Sequence, residues 1–184
     1  VIRAFNNVRF YKSDMSGKCD SLHSNNKTQL TKMIGKPILW NNENQMTGDV
    51  MHLIGNNKTQ KLDSLKVLNN AFIIQKDSLS KNGYNQIKGQ NLYGKFVDSK
   101  LKEVDVVKNA EVIYYMYNDA NEFIGINKTV CSKINLELEA NKINSITFFT
   151  KTDSFIYPEA DFPENARKLR GFLWRGDERI LSKD

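Results

Sequence analysis

The sequence is poor in the residues that most often carry chemistry. It holds two cysteines, two histidines and three prolines in 184 residues. Cys19 and Cys131 have no second Cys or His at ligand spacing, which excludes a metal-knuckle pattern. His23 and His52 share no motif with an acid or a nucleophile. There is no Gly-rich loop of the kind that cradles phosphates. Apolar runs stop at about five residues, too short to cross a bilayer as a helix. Neither an initiator Met nor a signal-peptide pattern is seen, and Val1 opens inside a β-like run, which suggests a fragment trimmed from a longer chain.

What is present is an ordinary globular composition, 40% hydrophobic and 26% charged, enough for one domain with a real core. The net charge of +6 suits an anionic partner or a solvated basic surface. Its one dense cluster is Arg167, Lys168, Arg170, Arg175 and Arg179. Tyr93-Gly94-Lys95-Phe96 mixes aromatic and basic residues, but alternate packing on a strand explains it, and no nucleic-acid partner is expected.

The chain repeats itself. Asn44-Gln45-Met46-Thr47-Gly48, an apolar run Val50–Ile54, Leu62-x-x-Leu65-x-Val67 and Asn70-Ala71-Phe72-Ile73-Ile74 return in the same order. The second copy reads Asn85-Gln86-Ile87-Lys88-Gly89, Leu92–Phe96, Leu101-x-x-Val104-x-Val106 and Asn109-Ala110-Glu111-Val112-Ile113. Asn25-Asn26-Lys27-Thr28-Gln29 matches Asn56-Asn57-Lys58-Thr59-Gln60 letter for letter. A more eroded unit places Asn127 with Asn44 and Asn85, and Cys131 with Gly48 and Gly89, while Gly17 stands for Gly48 in the first unit. Residues 1–157 thus read as about four quasi-repeats of about 40 residues, entered half-way through a unit.

The units are strands. Ile134, Leu136 and Leu138 alternate with Asn135, Glu137 and Glu139 at period two, and Val, Ile, Phe, Tyr and Thr are dense elsewhere. Gly, Asn, Asp and Ser punctuate the chain at an all-β cadence. Stacked units share a core that one unit alone could not bury. Alternation selects Leu22, Met51, Leu53, Leu65, Val67, Leu92 and Phe96 as inward-facing. It continues with Val104, Val106, Ile134, Leu136, Ile146 and Phe148. After Phe149 the repeat fades, and residues 158–184 form a tail, irregular or with one or two helical turns behind Pro163. Phe172 and Trp174 would pin this tail, and it is expected to cap an open edge.

Three further readings concern chemistry. The aspartates at Asp14, Asp20, Asp49, Asp63 and Asp77 sit near turns, where such side chains bond the local backbone. Paired carboxylates on one face would instead suit a solenoid enzyme acting on glycans. Asn26-Lys-Thr28, Asn57-Lys-Thr59 and Asn127-Lys-Thr129 fit a glycan-acceptor pattern but read as turns. The cysteines fall three units apart, on the order of 14 Å at one strand per unit and sheet, so two unbridged thiols are expected.

Several short motifs in a fixed order resemble one family. They include Phe10-Tyr11, Gly17-Lys18-Cys19-Asp20-Ser21-Leu22, Pro37-Ile38-Leu39-Trp40, Asn44-Gln45-Met46-Thr47-Gly48-Asp49 and Tyr84-Asn85-Gln86-Ile87-Lys88-Gly89. Ala71-Phe72-Ile73, Asn109-Ala110-Glu111, Gly125-Ile126-Asn127-Lys128 and Leu169-Arg170-Gly171-Phe172-Leu173-Trp174 with Arg179 extend the likeness over nearly the whole chain. Together they resemble the OstA-like, organic-solvent-tolerance group, related to the periplasmic bridge of lipopolysaccharide transport and to the soluble domain of its outer-membrane translocon. That resemblance implies an all-β fold, a repeat-built open β-jellyroll of stacked V-shaped strand pairs. It implies a periplasmic, non-catalytic carrier that takes lipopolysaccharide or a related lipid against the inward residues named above. No catalytic residue, metal or cofactor is implied. It also implies partners, other β-jellyroll components joined by edge-strand pairing. The Pro- and Arg-rich tail departs from the free edge that a bridge would need, and fits a domain cut from a longer protein. The alternative reading is a structural β-stack with a dry, filled interior that binds another envelope protein through its edges.

Overall fold

The computed structural model describes residues 1–140, 142–150 and 152–182. The local signals produce strands in unbroken succession. They are β1 (Ile2–Tyr11), β2 (Ser16–Asn25), β3 (Leu30–Ile34), β4 (Ile38–Asn41), β5 (Asn44–Thr47) and β6 (Val50–Gly55). β7 (Leu62–Lys76), β8 (Tyr84–Val97), β9 (Lys100–Tyr117), β10 (Phe123–Glu139), β11 (Lys142–Phe149) and β12 (Asp153–Tyr157) follow. Neighbours pair antiparallel throughout.

Each layer bends at one place, and the register shows why. Asn69 and Asn70 of β7 stand opposite the single residue Gln90 of β8, between the pairs Leu68↔Asn91 and Ala71↔Gly89. Lys108 and Asn109 of β9 likewise oppose Gln90 on one side and Ser132 on the other. Asn6 and Asn7 of β1 oppose Asp20 of β2. Two residues against one is a β-bulge, and a column of bulges folds every layer along one line. The doubled residues all have left-handed backbones, at Asn6 and Asn7, Gly35 and Lys36, Asn69 and Asn70, and Lys108 and Asn109. Asn tolerates that region better than other side chains, so the bend line is rich in it.

The bend divides the stack into two arms. The first arm carries the loops after β2, β6 and β8. The second carries those after β1, β4, β7 and β9. β3 with β4, and β5 with β6, are single layers interrupted at the bend: β2 pairs β3 in the first arm and β4 in the second. β7 pairs β6 and β5 in the same way. The pairings β2–β4–β5–β7–β6–β3 therefore close into a six-strand circuit, where the sequence suggests a sheet open along one seam. Beyond it β8, β9 and β10 continue in single file to β11 and β12.

The same register adjusts the columns read from sequence. Ala71 lies opposite Gly89, and Ala110 opposite Cys131. In the first layers it is Cys19, opposite Val8, that takes this place, not Gly17, which faces Phe10 and Leu39. A side chain at Gly48 would collide with Val67, so only Gly fits there. Both cysteines are buried and unbridged. Six strand steps lead from β2 to β10, through β4, β5, β7, β8 and β9, where the sequence suggests three. The separation along the sheet is on the order of 30 Å.

The core sits between the arms. Met33, Met51, Val67, Val104, Val106 and Ile134 from the first arm, and Leu39, Met46, Ala110 and Val112 from the second, form one buried cluster. A second cluster lies outside the second arm, where Phe72, Ile74, Ile113, Tyr115 and Ile126 meet Phe162 and Leu169 of the tail. The tail contains three short 3-10 turns, Glu159–Asp161, Glu164–Ala166 and Gly176–Glu178, the second of them directly behind Pro163 as the sequence suggests. It covers a sheet face and not an edge.

Candidate functional site

The inward residues chosen from sequence are brought together. Met51, Leu53, Leu65, Val67, Leu92, Phe96, Val104, Val106, Ile134 and Leu136 all belong to the interior cluster, between 0 and 8% exposed. Leu22, Ile146 and Phe148 are half-buried and pack against it. Every one of them lies on the first arm. The opposite wall, Leu39, Met46, Ile73, Ile87 and Val112, is missing from that selection. The reason is physical. In Ile38–Asn41 and Ala71–Ile74 both faces are buried, because the tail covers the outside, so no alternation survives to be read.

Further from the bend, the second arm's inner wall turns polar. Asn41, Asn44, Gln75 and Asn85 are successive cross-strand neighbours of β4, β5, β7 and β8. Gln75 Nε2 donates to Asn44 Oδ1 at 3.3 Å, and Asn85 Nδ2 donates to Gln75 Oε1 at 3.5 Å. Asn85 Oδ1 accepts from the Tyr115 amide at 2.9 Å. Asn41 Nδ2 donates to the Asp14 carbonyl at 2.9 Å, while its Oδ1 is buried without a partner. The interior is thus apolar on one arm and apolar with an amide rail on the other.

The residue after each Asn points the other way and holds the tail. Gln45 Nε2 donates to the Leu173 carbonyl, and its Oε1 accepts from the Arg175 amide, both at 2.7 Å. Gln86 repeats the pattern with the Arg167 carbonyl at 2.7 Å and the Leu169 amide at 2.8 Å. Phe172 and Trp174 pack on Tyr84, with ring centroids 5.2 and 5.5 Å apart. Lys18 of β2 reaches Glu178 at 2.6 Å. The tail therefore crosses the second arm from β12 back to β2, gripped at β8, β5 and β2.

The histidines, Asp77 and the paired carboxylates Glu103 and Asp105 are held in structural contacts. His23 stacks edge-on against Phe5 at 5.7 Å. His52 stands opposite Lys32 and Lys66, and burial followed by those two cations holds its pKa below the usual imidazole value. Asp77 accepts from the Ser80 amide and from the Tyr117 hydroxyl, each at 2.6 Å, as a turn aspartate does. Glu103 and Asp105 do converge, on Asn135 Nδ2 at 3.1 and 2.9 Å. The Lys95 hydrogen bond and then Asn135 lower the pKa of Glu103. Burial alone would raise Asp105, but Asn135 and Lys133 hold it down. Two carboxylates both kept ionised lack the protonated partner that glycoside hydrolysis requires. Among the described residues no group of three or more His, Cys, Asp or Glu could hold a metal. Burial raises both thiols, against a reactive role.

No helix among the described residues is long and apolar enough to cross a membrane. No family model and no curated protein matches this sequence. Solved structures do match. One is LptH of Pseudomonas aeruginosa, described as the LptA-homologous periplasmic component of the lipopolysaccharide transport device. It is 16% identical, with a TM-score of 0.58, and the match covers 80% of this chain and 100% of that one. The match shows a shared fold: this all-β chain has the overall fold of that LptA-homologous periplasmic component.

Proposed function

We propose that this chain is a non-catalytic periplasmic carrier or bridge segment that takes the acyl chains of lipopolysaccharide, its lipid A part, between its two arms. It passes them toward the outer membrane without turnover. The observation that carries this reading is the apolar layer between the arms, continuous from Leu39 and Met46 through Ile87 and Leu92 to Ile134 and Leu136. Each methylene moved from water into such a layer contributes about 0.8 kcal/mol, so a chain of about a dozen gains on the order of 10 kcal/mol. That is enough to keep the acyl chains out of water while the lipid passes between carriers. The interior is packed shut in this state, with Met51, Val67 and Val104 fully buried. Loading therefore requires the arms to part beyond the closed circuit, along β8, β9 and β10.

Edges supply the handover. Among the described residues β1 pairs with β2 alone, while β11 and β12 each pair with β10 alone. Their unpaired backbone groups suit strand addition by a neighbouring β-jellyroll component. The sealed interior itself favours a second reading, a structural stack that only binds an envelope partner through those edges.

A photo-crosslinking side chain at Leu92, in cells that make lipopolysaccharide, separates the two. Capture of lipopolysaccharide by the folded protein is expected. A folded variant that captures edge partners but never lipid would establish the structural stack instead.

A further inference from the structure

Outside the bend, between the bulge column and the tail, lies a groove of about 980 Å³. Its lining touches the interior cluster at Ala71, but most of it is polar. Its wall is the bend line itself: Lys36, Asp49, Asn69, Asn70, Gln90 and Asn109. The tail forms the other bank with Arg170, Gly171, Leu173 and Arg175, and Phe72 lies at its base.

The charges are unevenly matched. Four cationic side chains, Lys36, Lys88, Arg170 and Arg175, face two carboxylates, Asp49 and Glu111. Lys88 is held by Glu111 at 3.1 Å, and Arg175 by Glu178 at 2.7 Å. Asp49 is occupied by Asn70 Nδ2, at 3.1 and 3.0 Å to its two oxygens. Among the described residues Lys36 and Arg170 make no ion pair, and both stand exposed in the lining. Exposed cations lining one groove suit a phosphate or another oxyanion. Side-chain amides beside the apolar Phe72 suit sugar hydroxyls and the apolar face of a pyranose ring.

The geometry points to this groove as a binding site for a phosphorylated saccharide, with Lys36 and Arg170 taking the anion and the amides of the bend taking the hydroxyls. The site needs the tail, since one bank is made of it. It goes beyond lipid carriage and stands apart from it: crosslinking at Leu92 can fail while this site binds, and the reverse.

The test is an amide-resolved titration of the whole chain with glucose 1-phosphate, glucose, inorganic phosphate, and a monophosphorylated glycolipid in detergent micelles. Shifts at Lys36, Asn70, Gln90 and Arg170 with glucose 1-phosphate, absent with glucose, are expected for a free sugar phosphate. The same shifts with the glycolipid alone assign the site to a lipid headgroup. Lys36→Asn keeps a residue suited to the positive φ of 48° there, and Arg170→Gln alters an exposed position. Each should weaken binding about tenfold, the loss of one charged hydrogen bond. Asp49→Asn should strengthen it. Binding of inorganic phosphate as tight as that of glucose 1-phosphate would overturn the saccharide assignment. No shift with any probe, or affinities untouched by both cation substitutions, would overturn the site.

Discussion

At the scale of single residues, the repeated Asn-Gln pair is the informative unit. Its Asn faces inward into the amide rail, and its Gln faces outward onto the tail. The pair was visible in the sequence, but its double use was not, because the Gln partners lie 81 and 130 residues away. Gln86→Ala would leave the buried Leu169 amide without an acceptor, and we expect a loss of about 2 kcal/mol in urea unfolding, with faster exchange at Leu169. Glu178 has the opposite accessibility, at the exposed end of the tail. Hydrogen bonds from Arg175 and then Lys18 lower its carboxyl to about 2, against an ordinary 4.5. A depressed carboxylate stabilises the fold above its unfolded value and loses that contribution as pH falls through the folded one. Trp174 fluorescence should therefore report loosening of the tail end between about pH 4.5 and 2. Glu178→Gln should show the loosened signal already at neutral pH.

At the scale of elements, local sequence decided local form wherever water touched one face. The identical pentapeptides build the same turn: Asn25 Oδ1 accepts from the Lys27 amide and Asn56 Oδ1 from the Lys58 amide, both at 2.9 Å. Gln29 and Gln60 close those turns with φ of 53° and 58°. The alternation of β10 reads directly for the same reason, while β4 and the second half of β7, buried on both faces, gave no period. The bulge column was legible only as richness in Asn. Its cost can be measured, since Asn70 sits at φ 50°. Asn70→Val should destabilise by about 1–2 kcal/mol in thermal unfolding, and Asn70→Gly by much less. Removing residues 158–182 should do more than shorten the chain. Phe72, Ile74, Ile113 and Ile126 would meet water, and light scattering should show the truncated protein aggregating while its strand signal persists.

At the scale of the whole molecule, the all-β class follows from the alternating, turn-punctuated sequence, but closure and cover do not. A six-strand circuit depends on which halves of interrupted layers pair, and a tail on a face depends on two distant glutamines. On the proposed reading, the terminal strands are where a neighbouring component would add. Phe5 is 61% exposed on β1 and Phe155 59% exposed on β12. Phe5→Asp should abolish any concentration-dependent association seen by sedimentation, because a charge on an edge strand opposes strand addition. The tail has one more consequence, which is mechanical. Because it lies across the strands, a pull on its C-terminal end does not load its fastenings together. It peels them in turn, the Glu178 contact, then the Gln45 pair, then the Gln86 pair, as a zipper opens tooth by tooth. The face beneath would be uncovered in stages from β2 toward β10, each at low force, while the strand ladder stays whole.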